Sequence, residues 1–389
     1  MQKLKALPAL PRLPIPSVTR SVFCRMSTTP ATPHHPKFVS LEETEPQGAR
    51  FRLVSYNILA QVYVKSSNFP HSPSACLKWK ARSKAVLAVL KNLGADFLCL
   101  QEVDEYESFY KGNMESCGYS SIYIQRTGQK RDGCGIFFKH DSAELILQET
   151  IDYNDLVNSI QHGTVLSDDI QNDEQDSKNK DAKIKSGSMQ KVPQDRGDPI
   201  DPRVRLKRDC VGIMGAFKLK DYHNHIVIVA NTHIYWDPEW ADVKLAQAKY
   251  LLSRLAQFKA LVSDRFECAS SLIVAGDFNS TPGDKVYECL ISGNPLASSG
   301  TVAEGSEDAP IPLRTAYGST SGEPKFTNCT PDFTDTLDYI FFSPSESIKP
   351  VSLLELPEFD PSDVGGLPNF SHPSDHLPIG VEFEIFGGL

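Results

Sequence analysis

The sequence predicts an α/β fold in which two β-sheets pack face to face and helices lie outside them. Three observations point there: short apolar, β-branched runs recur between Phe51 and Phe386, only two stretches carry a helical period, and no internal repeat divides the 389 residues. With 40% hydrophobic residues, the chain is long enough to bury a substantial core.

The strand candidates, in order, are FRLVSYN, DFLCLQE, CGIFFK, LILQETI, VGIMGAFKL, HIVIVANTH, SLIVAGDFN, TLDYIFF, PVSLLEL and IGVEFEIF. The first helix spans 78–93, with Ala85, Val86, Val89, Leu90 and Leu93 on one side and Gly94 at its stop. The second fits 239–262, where Val243, Tyr250, Leu251, Leu255, Phe258 and Leu261 fall at helical spacing. Residues 155–202 contain no Phe, Tyr or Trp, too little apolar surface to offset the entropy of ordering, and read as a disordered surface insertion. The expected organisation is a tail over 1–48 and a catalytic domain over 49–389 that carries this insertion.

Composition excludes several function classes. A net charge of −9 argues against a broad basic face that coats nucleic acid, so any such substrate is gripped locally, near an end. No apolar stretch approaches the ~20 residues of a membrane span. The nine cysteines include no C-x-x-C pair, which fits an intracellular, reduced compartment with cysteines packed as small hydrophobes. Residues 1–37 carry Lys3, Lys5, Arg12, Arg20, Arg25 and Lys37 and no acidic residue. That start fits either a mitochondrial or plastid transit peptide or the disordered tail of a cytoplasmic or nuclear protein.

The chemistry lies at the strand ends. Apolar runs stop at Asn57, at Glu102, at Asn231 with His233, at Asp277 with Asn279, and beside Asp338, while Asp375 and His376 precede the last strand. If these strands lie side by side, their ends deliver carboxylates, amides and histidines to one edge of the sandwich. Such a hard, oxygen-rich set suits Mg²⁺, with Mn²⁺ as a substitute, better than zinc, and one or two such ions beside a histidine serve phosphate-ester hydrolysis. Taken singly, Asn57 reads equally as a strand-end turn residue, GDFN as an Asx turn, and Trp236 and Trp240 as packing rings. The run Arg203, Arg205, Lys207, Arg208 reads as a solvated edge or a phosphate contact.

SYNIL (55–59), LQEV (100–103), RDGCGIFF (131–138), NTHIYWDPEWADVKLAQ (231–247), GDFNSTP (276–282), TLDYIFF (336–342) and SDHLPI (374–379) resemble, in the same order, the signature blocks of the endonuclease/exonuclease/phosphatase superfamily. RVRLKRDCVGI at 203–213 and FTN with DFTDTLDYIF within 326–341 narrow the resemblance to the carbon catabolite repressor-type deadenylases and their relatives nocturnin and angel. The resemblance implies a DNase I-like, four-layered α/β sandwich with its site at one edge of the two mixed sheets. It implies Glu102 as the principal Mg²⁺ ligand with Asn57 beside it, and Asp277 orienting or deprotonating water. Asn279 would bond the phosphate. Asp338, Asp375 and His376 would complete a second metal environment, with Asp375 aligning His376, and His376 and His233 would stabilise negative charge. Pro238 and Phe333 match family positions that sandwich an adenine, and Asn231, Asn328 and Arg208 join them on the substrate side.

The activity so implied is a Mg²⁺-dependent 3′→5′ exoribonuclease acting on the 3′ end of single-stranded poly(A) RNA and releasing 5′-AMP. The alternatives are a nocturnin-like NADP(H) 2′-phosphatase and a 2′,5′-oligoadenylate phosphodiesterase. No leucine-rich repeat precedes Phe51, so docking into a large deadenylase assembly by that route is not expected, and protein adaptors are left open.

Overall fold

Apolar alternation and β-branched composition become strands in the computed structural model, which describes residues 37–41, 45–161, 198, 200–220, 222–293, 311–345, 347–357 and 365–386. The proposed transit peptide and tail over 1–36, and 162–197 of the insertion, lie outside the described residues. The first strands are β1 (Phe38–Ser40), β2 (Ala49–Asn57), β3 (Phe97–Gln101), β4 (Tyr119–Gln125), β5 (Gly133–Lys139), β6 (Ala143–Asp152), β7 (Val211–Leu219) and β8 (Tyr222–His233). They continue with β9 (Ala269–Asp277), β10 (Arg314–Thr315), β11 (Asn328–Cys329), β12 (Thr334–Asp335), β13 (Asp338–Phe342), β14 (Ile348–Leu354) and β15 (Ile379–Ile385). The helices are α1 (Trp79–Leu93), α2 (Lys111–Glu115), α3 (Leu156–Gln161), α4 (Pro202–Arg205), α5 (Ala241–Phe266) and α6 (Lys285–Ser292).

Seven strands form one sheet in the order β1-β14-β15-β2-β3-β5-β4, and six form another in the order β10-β13-β9-β8-β7-β6. Both are mixed, since β2 runs parallel to β3 and β8 to β9. Their inner faces meet in a core that includes Leu53, Phe97, Ile136, Ile213, Phe217, Val229, Ile273 and Ile340. On the outer faces, Val86, Leu90 and Leu93 of α1 cover Val54, Leu98 and Leu100, while Leu251, Leu255 and Phe258 of α5 cover Ile228, Leu272 and Val274. The result is the expected four layers, helix, sheet, sheet, helix. Among the described residues no helix is long and apolar enough to cross a membrane.

Three boundaries differ from expectation. Phe38–Ser40, expected in the tail, pairs with Ser352–Leu354, because β14 otherwise presents an open sheet edge. The insertion is helical at its two flanks, where Leu156 and Leu206 pack against Val243 and Ala246 of α5. α5 starts two residues later than predicted, since Pro238–Trp240 forms a 3₁₀ turn capped by the Asp237 side chain.

Candidate metal and catalytic centre

Register places the chemistry. His233 at the end of β8 lies opposite Asp277 at the end of β9, and Asp277 lies opposite Asp338 at the start of β13. Three functional side chains thus line one edge of the six-stranded sheet. Gly276 allows this packing: a Cβ there would sit 2.1 Å from the Thr232 carbonyl oxygen, so only glycine lets β8 and β9 approach. From the other sheet, Asn57 ends β2 and Glu102 follows β3. Leu59, Glu102 and Asn279 all have positive φ, at 57°, 59° and 46°, a backbone strain concentrated where the strands turn out of the sheets.

A hydrogen-bond network joins the sheets. Asn57 Nδ2 donates to Glu102 Oε1 at 3.1 Å and to Asp277 Oδ2 at 3.0 Å. Glu102 Oε2 accepts from the Ala60 N–H at 2.9 Å, and Asp277 Oδ1 from the Asn279 N–H at 2.9 Å. His233 Nε2 lies 3.5 Å and His376 Nε2 3.7 Å from Asp277 Oδ2. Asp338 Oδ2 receives Thr327 Oγ1 at 2.6 Å and lies 2.7 Å from His376 Nδ1. Asn279 is held in turn, its side chain donating to the Ile234 carbonyl at 3.1 Å and its carbonyl accepting from the buried Lys244 at 2.8 Å.

Burial and charge set these groups apart. Removal from water, with Asp132 and Asp375 nearby, pushes the Glu102 carboxyl up to about 7. Burial lowers the His233 pKa and outweighs the pull of Asp277, favouring the neutral ring. Burial also disfavours charge on His376, but Asp338 and Asp277 overcome it and hold that imidazole well above its ordinary value. The two histidines are thus biased in opposite directions, His233 toward the neutral ring and His376 toward the charged one.

The donor set fits a divalent cation. Asp277, Asp338 and His376 can place ligand atoms within 4.8 Å of one another. Asp338 Oδ1 is buried with no hydrogen-bond partner, an orphaned acceptor whose desolvation a cation would offset. Carboxylate oxygens are hard ligands, suited to an ion of the Mg²⁺ class. Glu102 stands outside that tight trio and reaches it through Asn57.

Other expected roles change. Asp338, not Asp375, aligns His376; Asp375 is half-buried, and its carboxylate receives Ser374 Oγ at 3.4 Å. Asn231 is not on the substrate side. It is fully buried, accepts from Gln101 Nε2 at 2.8 Å and donates to the Leu100 and Gly135 carbonyls at 2.9 Å, which makes it a strut between the sheets. Asn57 faces the carboxylates with its NH₂, because its oxygen accepts the Leu59 N–H at 3.0 Å, so it gathers acids rather than offering an oxygen to a metal. Arg208 is buried with its guanidinium 3.9 Å from the Trp240 ring centroid. Asn328, also buried, bridges to His376. Pro238 and Phe333 are exposed, as a stacking role requires.

Sequence reasoning missed several supports. Thr327 orders Asp338. Asp132, fully buried, accepts from Tyr63 OH at 2.6 Å and lies 3.4 Å from Arg126 Nη1, which puts a further negative charge near Glu102. Lys244 and Arg82 lie on helices where a charge reads as solvent-facing, and only their burial identifies them. For Asp132 the signal was present, since it is the second residue of the RDGCGIFF run.

A sequence signature described as the Endonuclease/Exonuclease/phosphatase family matches residues 54–376, from β2 to His376 itself. The chain belongs to this family. As a family member it is an enzyme, a metal-dependent phosphodiesterase of nuclease type. Carbon catabolite repressor protein 4 homolog 4 of Arabidopsis thaliana is 66% identical over 340 residues, covering 87% of this chain and 78% of that protein. The CCR4-Not complex 3′-5′-exoribonuclease subunit Ccr4 of Kluyveromyces lactis is 29% identical over 362 residues, 87% of this chain and 41% of that protein, so the chain spans less than half its length. Among solved structures, ANGEL2, described as a 2′,3′-cyclic phosphatase, aligns with TM-score 0.64 and 25% identity over 90% of this chain and 98% of that one. The human Nocturnin catalytic domain aligns with TM-score 0.57 and 22% identity over 90% and 98%, a likeness of fold.

Proposed function

We propose that this enzyme is a Mg²⁺-dependent 3′→5′ exoribonuclease that shortens poly(A) and releases 5′-AMP. The observation that carries the proposal is the bridge from Asn57 to both Glu102 and Asp277, which brings acids of the two sheets together at one edge beside His376. The exposed Pro238 and Phe333 stand on segments leaving that edge, available to an adenine base. The relatives named as 3′-5′-exoribonuclease subunits support an RNA substrate. The eight described cysteines are all free thiols, in keeping with a reducing intracellular compartment.

A cation held by Asp277 and Asp338, with Glu102 joined to them through Asn57, would neutralise charge on the phosphoryl oxygens and favour deprotonation of water. The side chains do the rest. Asp277, fixed by Asn57 and the Asn279 N–H, orients a water and takes its proton. The water oxygen forms the new bond to phosphorus as the bond from phosphorus to the 3′-oxygen of the preceding nucleotide breaks, and that oxygen takes up the proton Asp277 removed from water. His376, kept charged by Asp338, donates to the phosphoryl oxygen that gains charge, and His233 donates as a neutral ring. The strained Glu102 and Asn279 positions fix these groups before substrate arrives.

The test is a side-by-side assay of oligo(A), NADPH and 2′,5′-linked oligoadenylate, with Mg²⁺ and with EDTA. Stepwise shortening of oligo(A) with 5′-AMP as product, abolished by EDTA, is expected. Phosphate release from NADPH without AMP from oligo(A) would overturn the assignment.

A further inference from the structure

Eight large apolar side chains stand exposed among the described residues, and four of them, Val62, Trp236, Phe333 and Phe370, lie on segments adjoining the catalytic strand ends. Isolated exposed hydrophobics are ordinary, and the setting of each decides whether it invites a ligand. Trp236 stands out. It follows His233 by three residues, is 62% exposed, and lies at the outer end of a cluster of three rings that meet tilted and edge-on. Its ring centroid lies 6.2 Å from that of Tyr235, which lies 5.9 Å from that of Trp240. The Arg208 guanidinium sits 5.3 Å from Tyr235 and 3.9 Å from Trp240, and Arg205 sits over Trp240 at 4.0 Å.

The inner members of this cluster are committed. Arg205 pairs in bidentate fashion with Asp242 at 2.6 and 2.7 Å, and the Tyr235 N–H donates to Gln247 Oε1 at 2.8 Å. These contacts fix the segment that carries Trp236, whose indole is open to solvent. Arg205 is paired with Asp242 and Arg208 is buried over Trp240, so within 205–208 the exposed Lys207 is the cation turned to solvent. An open indole and an exposed lysine on segments that adjoin a phosphodiester-cleaving centre are the chemistry of single-stranded nucleic-acid binding.

We infer that Trp236 is a stacking platform for a base upstream of the terminal adenine, with Lys207 serving the adjoining phosphate. The inference rests on the poly(A) reading and deepens it: the enzyme holds a strand, not only its last nucleotide. Because every base offers a π-face, this platform senses length rather than sequence.

The test is binding of a fluorescein-labelled eight-nucleotide oligo(A) to the full chain in EDTA, with AMP affinity measured by competition. Trp236→Ala should weaken oligo(A) relative to AMP by about tenfold, the scale of one base–aromatic stack, while Trp236→Phe should stay within about twofold of wild type. An unchanged oligo(A)-to-AMP ratio in Trp236→Ala overturns the inference, as does a wild-type protein that binds the oligomer no tighter than AMP. Failure of the poly(A) reading shows separately, as tight oligomer binding with no AMP release once Mg²⁺ is restored.

Discussion

Replacing Arg82 with Met keeps an unbranched side chain and removes a guanidinium that ties two catalytic segments together. Arg82 is 1% exposed. Its Nε donates to the Pro373 carbonyl at 2.8 Å, its Nη2 to the Ile58 and Leu59 carbonyls at 2.7 and 2.6 Å, and its Nη1 to Gln61 Oε1 at 3.0 Å. The first acceptor adjoins Ser374–His376, and the others flank Ala60, whose N–H holds Glu102. Hydrogen bonds to a charged group contribute ~1.5–3 kcal/mol each. Desolvating a guanidinium costs several kcal/mol, so the net loss on substitution is about 3–5 kcal/mol. At the ~2–4 °C per kcal/mol of a domain this large, the melting temperature should fall by roughly 6–20 °C. Urea unfolding supplies the free energy, and kcat measured well below the new melting temperature should also fall as Glu102 and His376 lose their shared anchor. Arg82→Lys should recover only part of either loss, because an ammonium cannot span the fork. A Met variant within ~1 kcal/mol of wild type with unchanged kcat would refute the reasoning.

Further outcomes follow from individual contacts. Asn231→Ala should cost about 3 kcal/mol in stability by stranding Gln101 and two carbonyls; a raised KM with intact stability would return Asn231 to the substrate side. Asp338→Asn should lower the His376 pKa, read by NMR of the imidazole, further than Asp375→Asn does, and the reverse ranking would restore Asp375 as the aligning carboxylate. Burial pushes the Glu384 carboxyl up, but the Gln47 and Gly48 N–H donors and Arg50 outweigh it and hold its pKa below the ordinary range. A depressed folded pKa contributes stability above the unfolded value that disappears as pH falls through the folded one. Glu384→Gln should therefore destabilise at pH 7, with the gap to wild type closing below about pH 4; a gap that widens in acid contradicts this sign.

Strand identity was legible because β-branched runs such as VGIMGAFKL and HIVIVANTH leave little ambiguity, and α5 was legible because its apolar stripe is long. β4 escaped because YSSIYIQ carries two serines and no continuous apolar face, and α6 because eight residues show a period poorly, although Asp284 caps it and Gly293 ends it. In the site, the residue types were readable from the strand ends, and the pairings were not. Asp338 and Asp375 are equally plausible partners for His376 in a linear text; the choice depends on Asp338 facing it across the strand order, with Thr327 turning its carboxylate. Asn231 looked functional because it shares a strand face with His233 two residues on, yet that face is the interior between the sheets, and only His233 lies far enough along β8 to reach the edge; Asn231 is spent on Gln101, Leu100 and Gly135. Buried Arg82 and Lys244 carry charges that helical periodicity assigns to solvent, so long-range contacts alone reveal them.

Direct cation binding tests the convergence of the two sheets most plainly. Mn²⁺, read by electron paramagnetic resonance, should bind the wild-type protein, weaken at least tenfold in Glu102→Ala and in Asp277→Asn, and leave both variants folded by circular dichroism. Equal Mn²⁺ affinity in wild type and both folded variants would contradict the assembly of acids from the two sheets into one metal centre.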